Sequence, residues 1–207
     1  MASCAVISGG SFSPLTGIEK CVRVIACDKG VEYAQQCGIL PDLIVGDFDS
    51  FQGELPDGVE IKRLPTEKDD TDTMSAVREA VTAGFDEIVL YCALGGRLDH
   101  LFANIQTLAF IAEQGATARI IDRDTEIIVF SHASAEVPER KGWSLSVFSL
   151  SDRCENVSIH GAKYCLDNAV VSNRFPLGVS NEWDGTAEVS VGKGILAVML
   201  CRTEKIE

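Results

Sequence analysis

Residues 87–114 read EIVLYCALGGRLDHLFANIQTLAFIAEQ. An apolar run over Glu87–Leu94 gives way to a glycine pair and then to a helical pattern over 99–114. Leu101, Ile105, Leu108, Ala109 and Ala112 fall on one stripe, and Gly115 ends it. Strand, glycine turn and amphipathic helix in that order make one β–α unit. The same alternation extends outward over residues 1–131. Further apolar runs cover Cys4–Ser8, Arg23–Cys27, Leu43–Val45, Val59–Leu64, Ala118–Asp122 and Glu126–Phe130. They are rich in Val and Ile and nearly continuous, as strands buried on both faces are. A second helix is predicted over 70–83, where Met74, Val77, Ala80 and Val81 share a face before Gly84, and a shorter one over 31–37. These elements predict an α/β unit with a mostly parallel sheet.

After Ser131 the helical periodicity stops. Trp143, Leu145 and Val147 alternate with serines, a strand with one exposed side. Val157–His160, Tyr164–Leu166, Ala187–Val191 and Ile195–Arg202 predict further strands. Residues 132–207 therefore read as a small antiparallel β domain, with Ser131–Gly142 as linker and first turn.

The 207 residues are 46% hydrophobic and 24% charged, an ordinary globular balance. A net charge of -13, from 18 basic and 31 acidic residues, argues against binding a nucleic-acid backbone. No run approaches the ~20 apolar residues of a membrane span, and the first residues, MASCAVISGG, carry no secretory pattern, so the expected location is cytoplasmic. The eight cysteines form no C-x-x-C pair and read as buried, reduced thiols.

The polar chemistry is clustered. Asp28 follows one predicted strand and Asp47 and Asp49 follow the next. Asp69, Asp70 and Asp72 follow a third, and Gly95, Gly96, Arg97 and Asp99 follow a fourth. All lie beyond the carboxyl ends of parallel strands, the edge where open α/β sheets bind ligands. In an extended stretch Asp47 and Asp49 point the same way, and such hard oxygen donors suit magnesium; a turn leaving the strand explains them equally well. Asp69 or Asp70 is a natural helix cap, yet three carboxylates within four positions exceed what capping needs. Lys68 beside them reads either as a point charge for a phosphate or as a solvated surface lysine. Gly95-Gly96-Arg97 before a helix N-terminus offers backbone N–H groups and a bidentate guanidinium to a phosphate. His100 and Asn104 share the next helix face. There is no Walker A sequence. In the β domain, Trp183 after Ser180 and Asn181 reads as a turn aromatic, either a packing anchor or a platform for a flat ring.

Taken together these stretches resemble the thiamine pyrophosphokinase family. The resemblance rests on CDKG at 27–30, GDFDS at 46–50, TEKDDTD at 66–72, GGRLDH at 95–100, GAKY at 161–164 and SNE at 180–182. Lys29 stands where many relatives carry glycine. The resemblance implies a three-layer αβα domain over 1–131 and a β-sandwich over 132–207. It implies a homodimer whose site is shared between the α/β domain of one subunit and the β domain of the other. It also implies magnesium-dependent transfer of a pyrophosphoryl group from ATP to the hydroxyl of thiamine, giving thiamine diphosphate and AMP. On that basis Asp47, Asp49 and Asp72 would hold magnesium. Asp28, Lys29, Gly30, Ser50, Lys68, Asp69, Gly95, Gly96, Arg97, His100 and Asn104 would serve ATP. Ser180, Asn181 and Trp183 would meet thiamine. Asp70, Asp72 and Asp99 are the catalytic candidates, Asp70 or Asp99 as acceptor of the hydroxyl proton. The residues alone leave open another magnesium-dependent nucleotide transferase or hydrolase, or a binding module without turnover.

Overall fold

The computed structural model describes residues 2–48, 53–65, 67 and 69–203. In chain order the elements are β1 (Ser3–Ile7), β2 (Arg23–Cys27), α1 (Gly30–Gln36), β3 (Leu43–Gly46), β4 (Glu60–Arg63), α2 (Asp72–Thr82), β5 (Glu87–Tyr91) and α3 (Leu98–Glu113). There follow β6 (Thr117–Ile121), β7 (Thr125–Ser131), β8 (Ser134–Val137), β9 (Trp143–Ser149), β10 (Arg153–Ala162), β11 (Leu166–Ser172), β12 (Trp183–Ser190) and β13 (Ile195–Arg202). A short 3-10 turn, Ile18–Lys20, lies between β1 and β2.

Among the described residues the large sheet runs β4-β3-β2-β1-β5-β6-β7-β13-β9. Its pairs from β4 to β6 are parallel, and those from β6 to β9 are antiparallel. Alternation along each strand divides its side chains between two cores. Cys4, Val6, Ile25, Cys27, Ile88 and Leu90 face α2 and α3. Ala5, Ile7, Ala26, Val89 and Tyr91 face α1 and the 3-10 turn. The nearly continuous apolar runs are thus explained by burial on both faces. β4 departs from that pattern. All four of its residues are exposed, and it closes the sheet edge with Glu60, Lys62 and Arg63, charges that discourage pairing with another strand.

The small sheet, ordered β11-β10-β12-β8, is antiparallel. Its core joins Val137, Cys154, Val157, Ile159, Val171, Ala187 and Val189 to Phe130, Leu145, Val147, Leu196, Val198 and Leu200 of the large sheet. The sandwich therefore consists of the small sheet laid on the far end of the large one. β9 and β13, from beyond residue 131, continue the large sheet through β7.

Two strands differ from the sequence expectation. Ser134–Val137 is a strand within the stretch expected as linker, and the strand expected at 164–166 runs instead over Leu166–Ser172. They are the two edges of the small sheet, and each buries only one residue fully, Val137 or Val171. Among the described residues no helix is long and apolar enough to cross a membrane.

Candidate active site

A cleft of about 1040 Å³ opens at the carboxyl ends of β1, β2, β3 and β5. Asp28, Asp47 and Asp72 line it from three separate elements, and Gly95, Gly96, Arg97, His100 and Asn104 line it from the β5–α3 turn and α3. Lys29 adds a cation at its wall. The topology brings together four acidic or glycine-rich stretches that are far apart in the chain. Asp49, Ser50 and Lys68 lie outside the described residues.

The rim is conformationally strained where it meets the strands. Asp28 (φ 51), Phe48 (φ 60) and Cys92 (φ 51) all occupy the left-handed region, each within two residues of a parallel strand's end. A non-glycine residue there costs roughly 1–2 kcal/mol, and such strain gathers at functional sites. Gly30 has a steric reason to be glycine. A Cβ on it would lie 2.0 Å from the Ile7 carbonyl oxygen, so any side chain would push α1 off β1. Gly30 supports the wall and does not line the cleft.

The stretch Ser8-Gly9-Gly10-Ser11 also lines the cleft, with Phe12 beside it, and sequence reading did not single it out. A glycine pair directly after the first strand, on the same edge as the acids, was the available signal. Gly10 N donates to Cys92 O at 2.8 Å and Ser11 N to Leu94 O at 2.9 Å, so this loop is laced to the β5–α3 turn. Tyr33 braces it from α1, its hydroxyl donating to Gly10 O at 2.7 Å and its ring 5.3 Å from that of Phe12. The hydroxyl of buried Thr73 donates to Ser8 Oγ at 3.1 Å, fixing the start of α2 against the same loop.

The cap of α2 is Thr71, whose Oγ1 accepts from Met74 N at 3.1 Å. This corrects the expectation that Asp69 or Asp70 caps the helix. Thr71 suffices for the orphan N–H, so the carboxylates are not used as caps. Asp72, the first helical residue, turns to the cleft, whereas Asp69 and Asp70 are not among its lining residues. Asp70 instead accepts from Arg78 Nε at 2.9 Å, one face along α2.

At the N-terminus of α3 the N-cap residue Arg97 makes no capping bond, and Asp99 Oδ1 accepts from His100 N at 2.9 Å. Arg97 reaches Asp99 through Nε (3.1 Å) and Nη2 (2.6 Å), an exposed bidentate pair. Hydrogen bonding from Arg97 holds the Asp99 carboxyl below the usual carboxylate range and raises Arg97 in turn. Asn104 is buried, and its Nδ2 donates to Ala93 O at 2.7 Å. It secures the turn from beneath. Burial pushes the Cys27 thiol up, so it is a neutral filler beside Thr73.

The residues expected to meet thiamine sit elsewhere in the chain's own fold. Ser180, Asn181 and Trp183 do not line this cleft. Asn181 is buried, donates to Tyr164 O at 2.8 Å, and accepts from the N–H groups of Tyr164 and Glu182, both at 3.0 Å. Its amide holds the loop in place. Trp183 opens strand β12, which corrects the expectation of a turn position, and its Nε1 donates to Val137 O at 3.0 Å. Ser180 is exposed, with φ 56, and its N–H donates to Ser146 Oγ at 3.0 Å.

Residues 16–120 match the family described as thiamin pyrophosphokinase, catalytic domain, and residues 134–196 match the thiamin pyrophosphokinase vitamin B1 binding domain. The chain belongs to the thiamin pyrophosphokinase family. It is 29% identical to the thiamine pyrophosphokinase of Bacillus subtilis (strain 168), an alignment covering 96% of this chain and 98% of that protein. The crystal structure of the Bacillus subtilis thiamine pyrophosphokinase superposes with a TM-score of 0.87 at 27% identity, covering 98% of this chain and 100% of that one. A thiamin pyrophosphokinase family protein from Enterococcus faecalis superposes at 0.81, also with 27% identity and covering 98% and 100%. As a thiamin pyrophosphokinase the chain is an enzyme, a pyrophosphotransferase that forms thiamine diphosphate. Both matched domains of the family are present, and the first contains Asp28, Asp47 and Asp72 of the cleft.

Proposed function

We propose that the chain transfers the pyrophosphoryl group of ATP to the hydroxyl of thiamine and releases AMP, with magnesium held at the acidic cleft. The observation that carries this reading is the convergence of Asp28, Asp47 and Asp72 on the cleft that the Gly95–Arg97 turn also lines. Phosphoryl transfer asks the protein chiefly for positioning and charge stabilisation, and this cleft offers both kinds of group.

The donor set fits magnesium. Among the described residues no group of three or more potential ligands closes into a cage. Magnesium ordinarily takes only one or two carboxylates and completes its shell with waters and substrate phosphates. Asp47 and Asp72, with Asp49, are the proposed holders, and Asp28 stands beside them. When bound, the ion would supply positive charge against the phosphates. The chain does the rest. The Gly95-Gly96 turn and the first N–H groups of α3, apart from that of His100, are offered to a phosphate, and Arg97 adds its guanidinium. Asp99 orients Arg97, and its lowered basicity makes it a poor proton acceptor. Asp70 is engaged by Arg78. Of the three catalytic candidates only Asp72 lines the cleft, and its role there is to hold the metal.

A shared site in a homodimer belongs to the same reading. Ser180 and Trp183 lie off the chain's own cleft, as they do if the partner's sandwich supplies them. Two exposed apolar patches support this: Leu98 (77% exposed) and Phe102 (62%) on α3 beside the cleft, and Phe175 (67%) and Val179 (50%) just before Ser180. All eight cysteines are free thiols, which suits a reducing cytoplasm.

The test is a nucleotide assay with ATP and magnesium, with and without thiamine. AMP release that depends on thiamine is the expected result. Release of ADP, or AMP release indifferent to thiamine, overturns the reading.

A further inference from the structure

A second cleft, of about 490 Å³, shares no lining residue with the first. It lies on the face of the large sheet that carries α1 and the small sheet. Val89, Arg119 and Ile128 stand side by side across β5, β6 and β7 on that face. Val89 belongs to the core under α1, and Ile128 packs against the sandwich core. Arg119 thus marks the seam between two apolar cores, where neither layer covers the sheet. The 3-10 turn with Lys20 forms one wall, and Arg140 and Trp143 from the approach to β9 form the other.

The charges in this seam run against those of the chain. The whole protein carries -13, yet Lys20, Arg119, Arg123 and Arg140 line the cleft against Glu87, Asp122 and Glu126. The carboxylates are already engaged. Glu87 and Glu126 pair with Arg119, Glu126 also pairs with Arg140, and Asp122 accepts from the Arg123 backbone N–H at 2.7 Å. Among the described residues the Lys20 and Arg123 side chains have no ion-pair partner, and the buried Nε–H of Arg119 has no acceptor. Two cationic side chains, Lys20 and Arg123, therefore line the cleft without a carboxylate of their own. The cleft is of a size that takes small metabolites.

We propose that this seam is a binding site for a small, multiply charged oxyanion, a phosphoryl or polycarboxylate compound. Lys20 and Arg123 supply the uncommitted charge, beside Arg119, which its ion pairs with Glu87 and Glu126 hold in place. The site stands on its own geometry and does not depend on the reaction assigned to the catalytic cleft.

The test is calorimetric titration of the full-length protein, without magnesium, using inorganic pyrophosphate and citrate as separate probes. Three forms are compared: wild type, Arg97→Ala, which removes the phosphate fork of the catalytic cleft, and Lys20→Ala/Arg123→Ala. Both residues of the double variant are exposed, so the fold is retained, and turnover measured in parallel stays at the wild-type level. At least one probe is expected to bind Arg97→Ala saturably, and the double variant is expected to bind it about tenfold or more weakly, because hydrogen bonds to charged groups are lost. Saturation by pyrophosphate alone or by citrate alone identifies the ligand class. Loss of all binding in Arg97→Ala, wild-type binding by the double variant, or no binding of either probe to any form overturns the proposal and leaves the seam a purely structural ion network.

Discussion

Asn104 donates its side-chain amide to the carbonyl oxygen of Ala93 at 2.7 Å, across the turn that carries Gly95, Gly96 and Arg97. A buried amide on α3 thereby fixes where β5 ends and how the helix N-terminus faces the cleft. Asn104→Ala leaves the Ala93 carbonyl unsatisfied. It should cost about 1–3 kcal/mol in denaturant unfolding. The looser turn should also lower kcat/KM for ATP more than for thiamine. Unchanged stability with lost activity would make Asn104 a direct ligand contact instead.

Asp72 and Asp70 are two residues apart and differ in surroundings. Asp72 lines the cleft, and Asp70 is paired with Arg78 outside it. Asp72→Asn should lower kcat by about a hundredfold or more, in line with loss of a carboxylate that holds the metal. Asp70→Asn should stay within about tenfold of wild type and lose only the modest stability of a surface ion pair. Equal losses in steady-state kinetics would contradict the assignment of Asp72 over Asp70.

Glu126 gives the pH dependence of stability. Burial pulls its pKa up, but hydrogen bonds and charge from Arg119 and Arg140 outweigh burial, so the net shift is downward. A carboxylate lowered on folding contributes stability above its unfolded pKa and loses it as pH falls through the folded value. Unfolding free energy should therefore drop on acidification below the ordinary glutamate range. Glu126→Gln should flatten that drop. It should also cost about 2–3 kcal/mol at neutral pH, below the 3–5 kcal/mol of a fully buried pair because both arginines are partly exposed. Chemical denaturation between acid and neutral pH reads both effects.

Leu98 and Phe102 lie one helical turn apart on α3 and are exposed beside the cleft. If a second subunit covers them, Phe102→Glu should shift sedimentation from dimer to monomer and abolish thiamine turnover. The isolated subunit should stay folded by circular dichroism. A wild type that sediments as an active monomer would sink the shared-site reading.

Trp183 divides into a ring and a donor. Trp183→Phe removes the N–H bonded to Val137 O and should cost about 1 kcal/mol of stability. Trp183→Ala removes the ring as well. It should raise the Michaelis constant for thiamine about tenfold, the scale of one lost stacking contact. If neither variant changes that constant, the indole serves packing alone.

Many of the strands and helices were legible because their cause is local. Arg23–Cys27 and Ile195–Arg202 are apolar runs that match their strands residue for residue, and α2 and α3 carry periodic stripes ended by glycine. The acidic edge was legible too, since parallel topology places every strand-following loop on one side. Edge strands β8 and β11 were not: β8 buries only Val137 fully, and β11 sets a short Ala169–Val171 run among polar residues. What the sequence by itself determined is which residue types gather at the cleft. Only the tertiary structure decided the task of each. Thr71 rather than an aspartate caps α2, Asn104 and Asn181 spend their amides on backbone carbonyls and N–H groups, and Arg78 draws Asp70 away from the cleft. β9 and β13 joined the first sheet for the same kind of reason. A hydrogen-bond partner or an open sheet edge is set by approach in space, and residues distant in the chain settle it.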